Sequence, residues 1–423
     1  MKILVIGSGA REHALVWALS RSPRVAEIMV CPGNAGMENL ARRISLDPLN
    51  IEAIARLAQD KHVDLTVVGP EAPLVSGIAD VFSERGLPLF GPGARAARIE
   101  GSKAWAKDLM VKHGIPTASH RTFSDLDLAK AYVSSHPVPV VVKADGLAAG
   151  KGVVVAQTRD EALAVLCDFM GGRSLGEAGK TIIVEEFLEG REFSLLGLTD
   201  GKTVLDLLPA CDYKRACDGN RGPNTGGMGA SCPTDFLSRD DLREGIRILK
   251  QTVAALEKEG CPYSGVLYGG FMRTSQGVRV LEFNCRFGDP ETQVILPLLQ
   301  SDLAGLLTSC AHGALRDDAL SWSTSSAVGV VVAREGYPGS YKKGNPLPDL
   351  QSVPKEILVF HAGTERSVGE LVNTGGRTLT FTAFGADRDE AASRAYEVLS
   401  QLSFSGFFFR SDIGKEVSFS WIS

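Results

Sequence analysis

The chain is predicted to be a multidomain protein of mixed class, α/β and α+β, opening on a doubly wound parallel sheet. Three observations predict this. The first hundred residues alternate short apolar runs with helical patterns, the signature of a parallel sheet with crossover helices. A glycine-rich turn carrying Lys151 joins two apolar runs near residue 150. The stretch Val278–Thr292 reads as a strand that reaches Leu281-Glu282-Phe283-Asn284 and closes on Gly288-Asp289-Pro290.

In the first hundred residues, strands are expected at Ile3–Ile6, Glu27–Cys31, Leu65–Val68 and Leu89-Phe90, with a helix at Ile51–Gln59. Ligands of such sheets bind beyond the carboxyl ends of the strands. Those ends carry Gly7-Ser8-Gly9, Pro32-Gly33-Asn34 and Gly69-Pro70-Glu71. Gly7-x-Gly9 is a poor dinucleotide fingerprint. Glu12 stands where a third small residue is needed, and Cys31-Pro32 ends the second strand where an acid is needed. A loop followed by a helix N-terminus still suits one phosphate, with Arg11 close by. A tight turn that needs glycines for its own sake is an equal reading of this stretch.

From Gly101 the texture changes. Ser102–His113 reads as a helix capped by Ser102. Strands are expected at Val138–Ala144 and Val153–Ala156, with Asp145–Gly152 between them. This turn is not a Walker A loop: three residues, not four, separate its glycines, and Gly152 follows the lysine. Carrying Lys151, with Lys143 on the entering strand, it suits a cover for a triphosphate. Arg159–Met170 is an amphipathic helix. Ile182–Val184 is a strand leading into Glu185-Glu186-Phe187-Leu188, and Glu192–Leu198 opens the next sheet.

Asp212–Gly229 mixes charged and amide residues with glycines, as a substrate loop does. Arg239–Glu257 is a helix, and Val266–Phe271 a strand to pair with the stretch at 278. There Glu282 and Asn284, two apart, share a strand face, and two hard oxygens suit Mg²⁺. Arg286 follows on the same parity. Glu291–Thr308 is expected to be mostly helical. From Ala327 a third region has strands at Ala327–Ala333, Ile357–His361 and Thr378–Phe384 and a helix at Arg388–Leu402. It shows no titratable cluster and is expected to be a scaffold closing the site.

A net charge of −5 gives no reason to expect nucleic acid or an anionic membrane as partner. The eight cysteines form no C-x-x-C pair, so reduced thiols in a cytoplasm are expected. The opening apolar run is too short for a signal peptide, and no run of about 18 apolar residues spans a membrane.

These stretches together resemble one family. GSGAREHAL at 7–15, PGNAG at 32–36, VVGPEAPL at 67–74, EGSKAW at 100–105 and VKADGLAAGKGV at 142–153 carry the likeness. So do EEFLEGRE at 185–192, GPNTGGMGA at 222–230, EFNCRFGDPET at 282–292 and FRSDIG at 409–414. The pattern resembles the glycinamide ribonucleotide synthetase (phosphoribosylamine–glycine ligase) family of ATP-grasp enzymes. The resemblance implies an N-terminal substrate-binding domain at 1–100 and an ATP-grasp domain at 101–320 with a small lid subdomain at about 117–190. A C-terminal mixed α/β domain would span 321–423.

The resemblance implies ligation of glycine to 5-phosphoribosylamine with ATP, giving ADP and phosphate, with Mg²⁺ or Mn²⁺ held by Glu282 and Asn284. Lys103, Lys143 and Lys151 would approach the nucleotide phosphates. Glu185, Glu186 and Leu188 would hold adenine, and Glu192 ribose. Gly9, Arg11, Asn34 and Glu71 would meet phosphoribosylamine. Lys214, Arg286 and Asp289 would carry the reaction, with Asp212, Asn224, Thr225, Gly226 and Thr292 around the substrates. A cytoplasmic monomer or homodimer is expected.

Ala10 stands where the family commonly has glycine, which would strain a left-handed residue there. Tyr213 replaces a common histidine, and Arg221 interrupts the substrate loop. A nicotinamide dehydrogenase would use Gly7-Ser8-Gly9 but leaves residues 143–292 unexplained. A nucleotide-binding regulator would bind ATP without glycine-dependent turnover.

Overall fold

The structure is a computed structural model and describes residues 1–148, 152–172, 175–318 and 320–415. The first region is a five-stranded parallel sheet in the order Arg42–Arg43, Glu27–Pro32, Lys2–Gly7, Leu65–Val68, Leu89–Phe90. Its central strands are buried on both faces, as their continuous apolar runs require. After Arg42–Arg43 the chain crosses back to the other side of Lys2–Gly7, so the strand order reverses at that strand and the crevice at its carboxyl end faces the rest of the molecule. The left-handed residue in the first turn is Gly7, with φ of 124°. Ala10 is the first residue of the helix Ala10–Ser20, so it carries no strain.

Residues 120–186 build a separate four-stranded antiparallel sheet in the order His120–Phe123, Ile182–Glu186, Val140–Ala144, Val153–Ala156. The helices Leu126–Ser135 and Arg159–Met170 cover one face of it. Thr158 caps the second through a bond from Glu161 N–H, 3.2 Å. A second four-stranded sheet runs Val204–Asp206, Arg191–Thr199, Gly265–Thr274, Gly277–Asn284, backed by the long helix Arg239–Lys258. The large cleft lies between these two sheets.

Glu291–Thr308 is mostly helical, as expected, but in separate pieces. A single turn, Thr292–Ile295, passes into a 3-10 turn at Leu296–Leu298, and a new helix begins at Leu303. Pro297 cannot donate to a continuing helix, and Leu299 leaves it in an extended conformation.

The strand Gly277–Asn284 also departs from simple alternation. Strict parity would set Val278 and Val280 on the same face as Glu282 and Asn284. The pairing instead slips at Leu281: Phe271 faces Val280, while Gly270 faces Glu282. The extra residue turns the strand over. Val278, Val280 and Phe283 enter the core, and Glu282 and Asn284 face the cleft.

The third region is organised around a sheet in the order Cys211–Asp212, Gly229–Cys232, Ser326–Arg334, Arg377–Gly385, Leu358–His361, with Phe407–Phe408 also beside Ser326–Arg334. Two strands from the base of the substrate loop therefore belong to the C-terminal sheet. The first and third regions meet at His13 and His361. His13 Nδ1 accepts the His361 N–H at 2.9 Å, and Asn34 Nδ2 donates to His361 O at 2.7 Å.

Burial, with His361 adding to it, lowers the His13 pKa to about 3. Burial, with Arg366 adding to it, lowers the His361 pKa to about 4. Both therefore stay neutral in the folded chain at pH values where the unfolded chain binds a proton. Stability is complete above about pH 6.5 and is lost as pH falls toward 4, on the order of 2 kcal/mol for each histidine at pH 5. Urea unfolding at pH 7 and pH 5 should show this loss. A His13→Asn/His361→Asn variant should be weaker at pH 7 but lose less between the two pH values. An equal loss in both proteins would contradict the assignment.

Candidate active site

The cleft encloses about 690 Å³ and draws on all three regions. One end is built by lysines. Ser102 caps the helix Lys103–Lys112 by accepting Trp105 N–H at 3.2 Å. The carboxylate of Asp145, just after the strand Val140–Ala144, caps it a second time from Ala104 N–H at 2.7 Å. Lys103 on the first turn donates to Gly146 O at 3.0 Å. One turn further, Lys107 reaches Glu185 Oε2 at 2.8 Å and Thr117 Oγ1 at 2.7 Å. Lys143 reaches the same carboxylate oxygen at 3.0 Å and donates to Leu281 O at 3.1 Å.

Burial lowers the Lys107 pKa to about 8, against the pull of Glu185. Glu185 lies below its ordinary value: burial would raise it, but Lys143 and Lys107 prevail. Its other oxygen, Oε1, is buried and has no hydrogen-bond partner among the described residues. Lys151 lies outside the described residues.

Glu282 and Asn284 face this lysine group from the strand Gly277–Asn284. Burial would raise the Glu282 carboxyl, yet Lys214, Lys143, Lys103 and Arg286 together hold it below its usual range. A carboxylate and an amide oxygen side by side, with no third acidic, histidine or cysteine group joining them among the described residues, is a donor set for a hard cation. Such an ion completes its shell with water and phosphate oxygens. The residues present therefore fit Mg²⁺ or Mn²⁺.

The other end is a network of buried carboxylates and arginines. Arg286 lies between Glu100, 2.8 Å from Nη2, and Glu71, 3.3 Å from Nε. Glu100 also accepts the Cys285 N–H at 2.8 Å. Arg11 donates to Phe287 O at 3.2 Å and to Glu12 Oε1 at 2.5 Å. Burial opposes ionisation of Asp289, but Arg377 and Arg11 hold its carboxyl below the normal range. Lys214 pairs with Glu192 at 2.9 Å. Asp212 has the reverse shift: burial and the nearby Glu291 push its carboxyl well above its usual value. Glu291 itself accepts from Ser194 and Tyr268 hydroxyls, each at 2.8 Å.

Of the residues singled out from sequence, Arg11, Glu71, Lys103, Lys143, Glu185, Glu186, Leu188 and Glu192 line this cleft. Asp212, Lys214, Asn224, Thr225, Gly226, Glu282, Asn284, Arg286 and Asp289 line it too. Asn34 and Thr292 are buried behind the wall, and Gly9, partly exposed, lies beside Asp289. Gly9 N–H is bonded to Glu12 at 2.5 Å. Asn34 is spent on Gly36 N–H, Ser8 O and His361 O. Thr292 is fully buried and donates to Gly288 O at 2.5 Å.

Tyr213 packs beside Arg410, 5.5 Å from its ring centre. Arg221 lies on an exposed hairpin, bonded to Asp218 O at 3.2 Å. Sequence reading missed Glu100, Lys107, Tyr268, Glu291 and Arg377. Lys107 was within reach of it, since it lies one helical turn from Lys103.

Residues 1–100 match the N domain of phosphoribosylglycinamide synthetase, residues 101–292 its ATP-grasp (A) domain and residues 327–416 its C domain. The chain belongs to the phosphoribosylglycinamide synthetase family. A phosphoribosylamine–glycine ligase of Halalkalibacterium halodurans is 46% identical over 417 residues, covering 98% of this chain and 97% of that protein.

The crystal structure of a phosphoribosylamine–glycine ligase from Thermotoga maritima has a TM-score of 0.85 at 32% identity, covering 97% of this chain and all of that one (100%). The biotin carboxylase domain of Hydrogenobacter thermophilus 2-oxoglutarate carboxylase has a TM-score of 0.75 at 17% identity, covering 96% of this chain and 91% of that one. That likeness shows the shared ATP-grasp fold. Membership in the synthetase family displaces the dehydrogenase reading of Gly7-Ser8-Gly9. No helix among the described residues is long and apolar enough to cross a membrane.

The metal assignment yields a binding test. Calorimetry should show ATP bound more tightly with Mg²⁺ than with EDTA. Glu282→Ala should weaken the gain from Mg²⁺ by at least about tenfold. An unchanged gain in the folded variant would remove Glu282 from the metal site.

Proposed function

We propose that the chain is an ATP-dependent carboxylate–amine ligase that joins glycine to 5-phosphoribosylamine. The products are glycinamide ribonucleotide, ADP and phosphate, a step of de novo purine biosynthesis. The observation that carries this reading is one cleft in a chain of this family, with Lys103, Lys107 and Lys143 opposite Glu282 and Asn284 and Arg286 beyond them. That is an arrangement for phosphoryl transfer, in which catalysis is positioning and charge neutralisation.

In this reading Lys103 and Lys143 take the nucleotide phosphates, joined by Lys151 on the strength of the resemblance, while Lys107, buried against Thr117 and Glu185, fixes the Glu185 carboxylate. Glu185, Glu186 and Leu188 border the adenine and Glu192 the ribose. Glu282 and Asn284 would hold Mg²⁺ or Mn²⁺. When bound, that ion neutralises charge on the β- and γ-phosphates. Gly9, Arg11 and Glu71 meet phosphoribosylamine, with Asn34 shaping the loops from behind. Asp212, Asn224, Thr225 and Gly226 surround glycine and the amine, and Thr292 fixes the turn at Gly288 from within the core.

A carboxylate does not react with an amine at neutral pH, so glycine is first activated. Its carboxylate attacks the γ-phosphorus, ADP leaves, and a glycyl phosphate forms. The amine of phosphoribosylamine then attacks the acyl carbon and phosphate leaves. Lys143, Lys103 and Arg286 offset the charge on the transferring group, while Lys214 and Asp289 line the reacting centre. No protein nucleophile is required, and none is assigned.

A coupled assay for ADP tests the reading. Continuous ADP turnover should require glycine and 5-phosphoribosylamine together. ADP release indifferent to glycine, or ATP binding without turnover, would contradict it.

A further inference from the structure

The C-terminal region was expected to be a scaffold, and its charged residues say otherwise. The substrate loop at 212–229 hangs from the C-terminal sheet, since its two ends, Cys211–Asp212 and Gly229–Cys232, pair with each other, and Gly229–Cys232 pairs in turn with Ser326–Arg334. The middle of the loop is gripped from the same side. Arg377, the first residue of the strand Arg377–Gly385, donates Nη1 to Gly226 O, to Gly227 O at 3.3 Å and to Asp289 O at 3.2 Å. Its Nη2 lies 3.2 Å from Asp289 Oδ2. Tyr337 Oη accepts the Gly226 N–H at 3.0 Å. Both polar groups of Gly226 are thus bonded to the C-terminal region.

The fit leaves no slack. A Cβ on Gly226 would lie 3.1 Å from Arg377 Cζ, so the guanidinium rests against bare backbone. Gly227 has φ of +104°, and a Cβ there would fall 2.3 Å from Pro290 Cδ and 2.7 Å from Asp212 Oδ1. The loop and the Gly288-Asp289-Pro290 turn are interlocked, with one guanidinium bonded to both. The lysines of the nucleotide end are held separately, on the helix Lys103–Lys112 and the strand Val140–Ala144.

We propose that Arg377 and Tyr337 are positioning residues for the glycine and amine half of the reaction. They set the peptide at 225–227 against the Asp289 carboxylate, which makes the C-terminal region part of the substrate-specificity machinery. The inference rests on the ligase reading. Because the grip touches nothing at the nucleotide end, its loss should appear in the KM of the other two substrates.

Three variants test it: Arg377→Ala, Arg377→Lys and Tyr337→Phe. Arg377→Ala should raise the KM for glycine or 5-phosphoribosylamine by about tenfold or more, with the KM for ATP changed by less than about twofold. Tyr337→Phe removes one acceptor and no bulk, so it should move the same KM in the same direction with its thermal midpoint within about 2 °C of wild type. Arg377→Lys keeps a charge beside Asp289 but not the fork onto three carbonyls. It should recover thermal stability without recovering KM.

Equal rises in all three KM values, normal KM values in the alanine and phenylalanine variants, or full KM rescue by lysine would each overturn the proposal. Failure of the ligase reading is seen separately, as absence of glycine-dependent ADP from the unaltered protein.

Discussion

The arrangement depends on Arg286 held between Glu71 and Glu100. Glu71 belongs to the N-terminal sheet region, Glu100 to the helix Ala94–Gly101 that leads out of it, and Arg286 to the stretch after the strand Gly277–Asn284. A guanidinium presents donors in a rigid planar fork, so two carboxylates from elsewhere in the chain fix its plane. Glu100, with its second oxygen on Cys285 N–H, also fixes the backbone where the strand ends. Burial raises the Glu100 carboxyl in spite of Arg286. Glu71 lies lower: burial opposes this, but Arg286 and Arg11 prevail. Removing both carboxylates would leave the Arg286 charge uncompensated in the cleft wall, which costs more than the pairs themselves contribute.

From that point the cleft divides by charge. On one side stand Lys103, Lys107 and Lys143, gathered on a helix and a strand and balanced by Glu185 and Glu282. On the other stand Asp289, Arg377, Asp212 and Glu291, tied to the turn after Arg286. Burial makes each of these charges expensive alone, so neighbouring charges offset one another. An anionic nucleotide fits the first side because three lysines converge there beside the hard-oxygen pair of Glu282 and Asn284. The second side offers both donors and acceptors, which a zwitterion and an amine require.

Much of this was legible in the sequence. Strand ends with glycine and polar residues, the Ser102 cap and the pair Glu282 and Asn284 all speak through local spacing. What was not legible depends on distant pairing. The slip at Leu281 is visible only when Gly270 and Phe271 lie opposite, and without it the same residues would send Val278 and Val280 into the cleft. Glu100 and Arg377 read as ordinary charges because their partners are far along the chain: 186 residues for Arg286 from Glu100 and 88 for Arg377 from Asp289 O. Asn34 and Thr292 are the opposite case. Their motifs mark them, but their side chains serve the loops and turns that support the cleft wall.

The central claim is that this charge division serves transfer of the γ-phosphoryl group to the glycine carboxylate. The most direct measurement follows the carboxylate oxygen. With glycine labelled by ¹⁸O in its carboxylate, a pathway through glycyl phosphate carries one labelled oxygen into inorganic phosphate, with ADP as the nucleotide product. Unlabelled phosphate, or label recovered in AMP, would contradict the account.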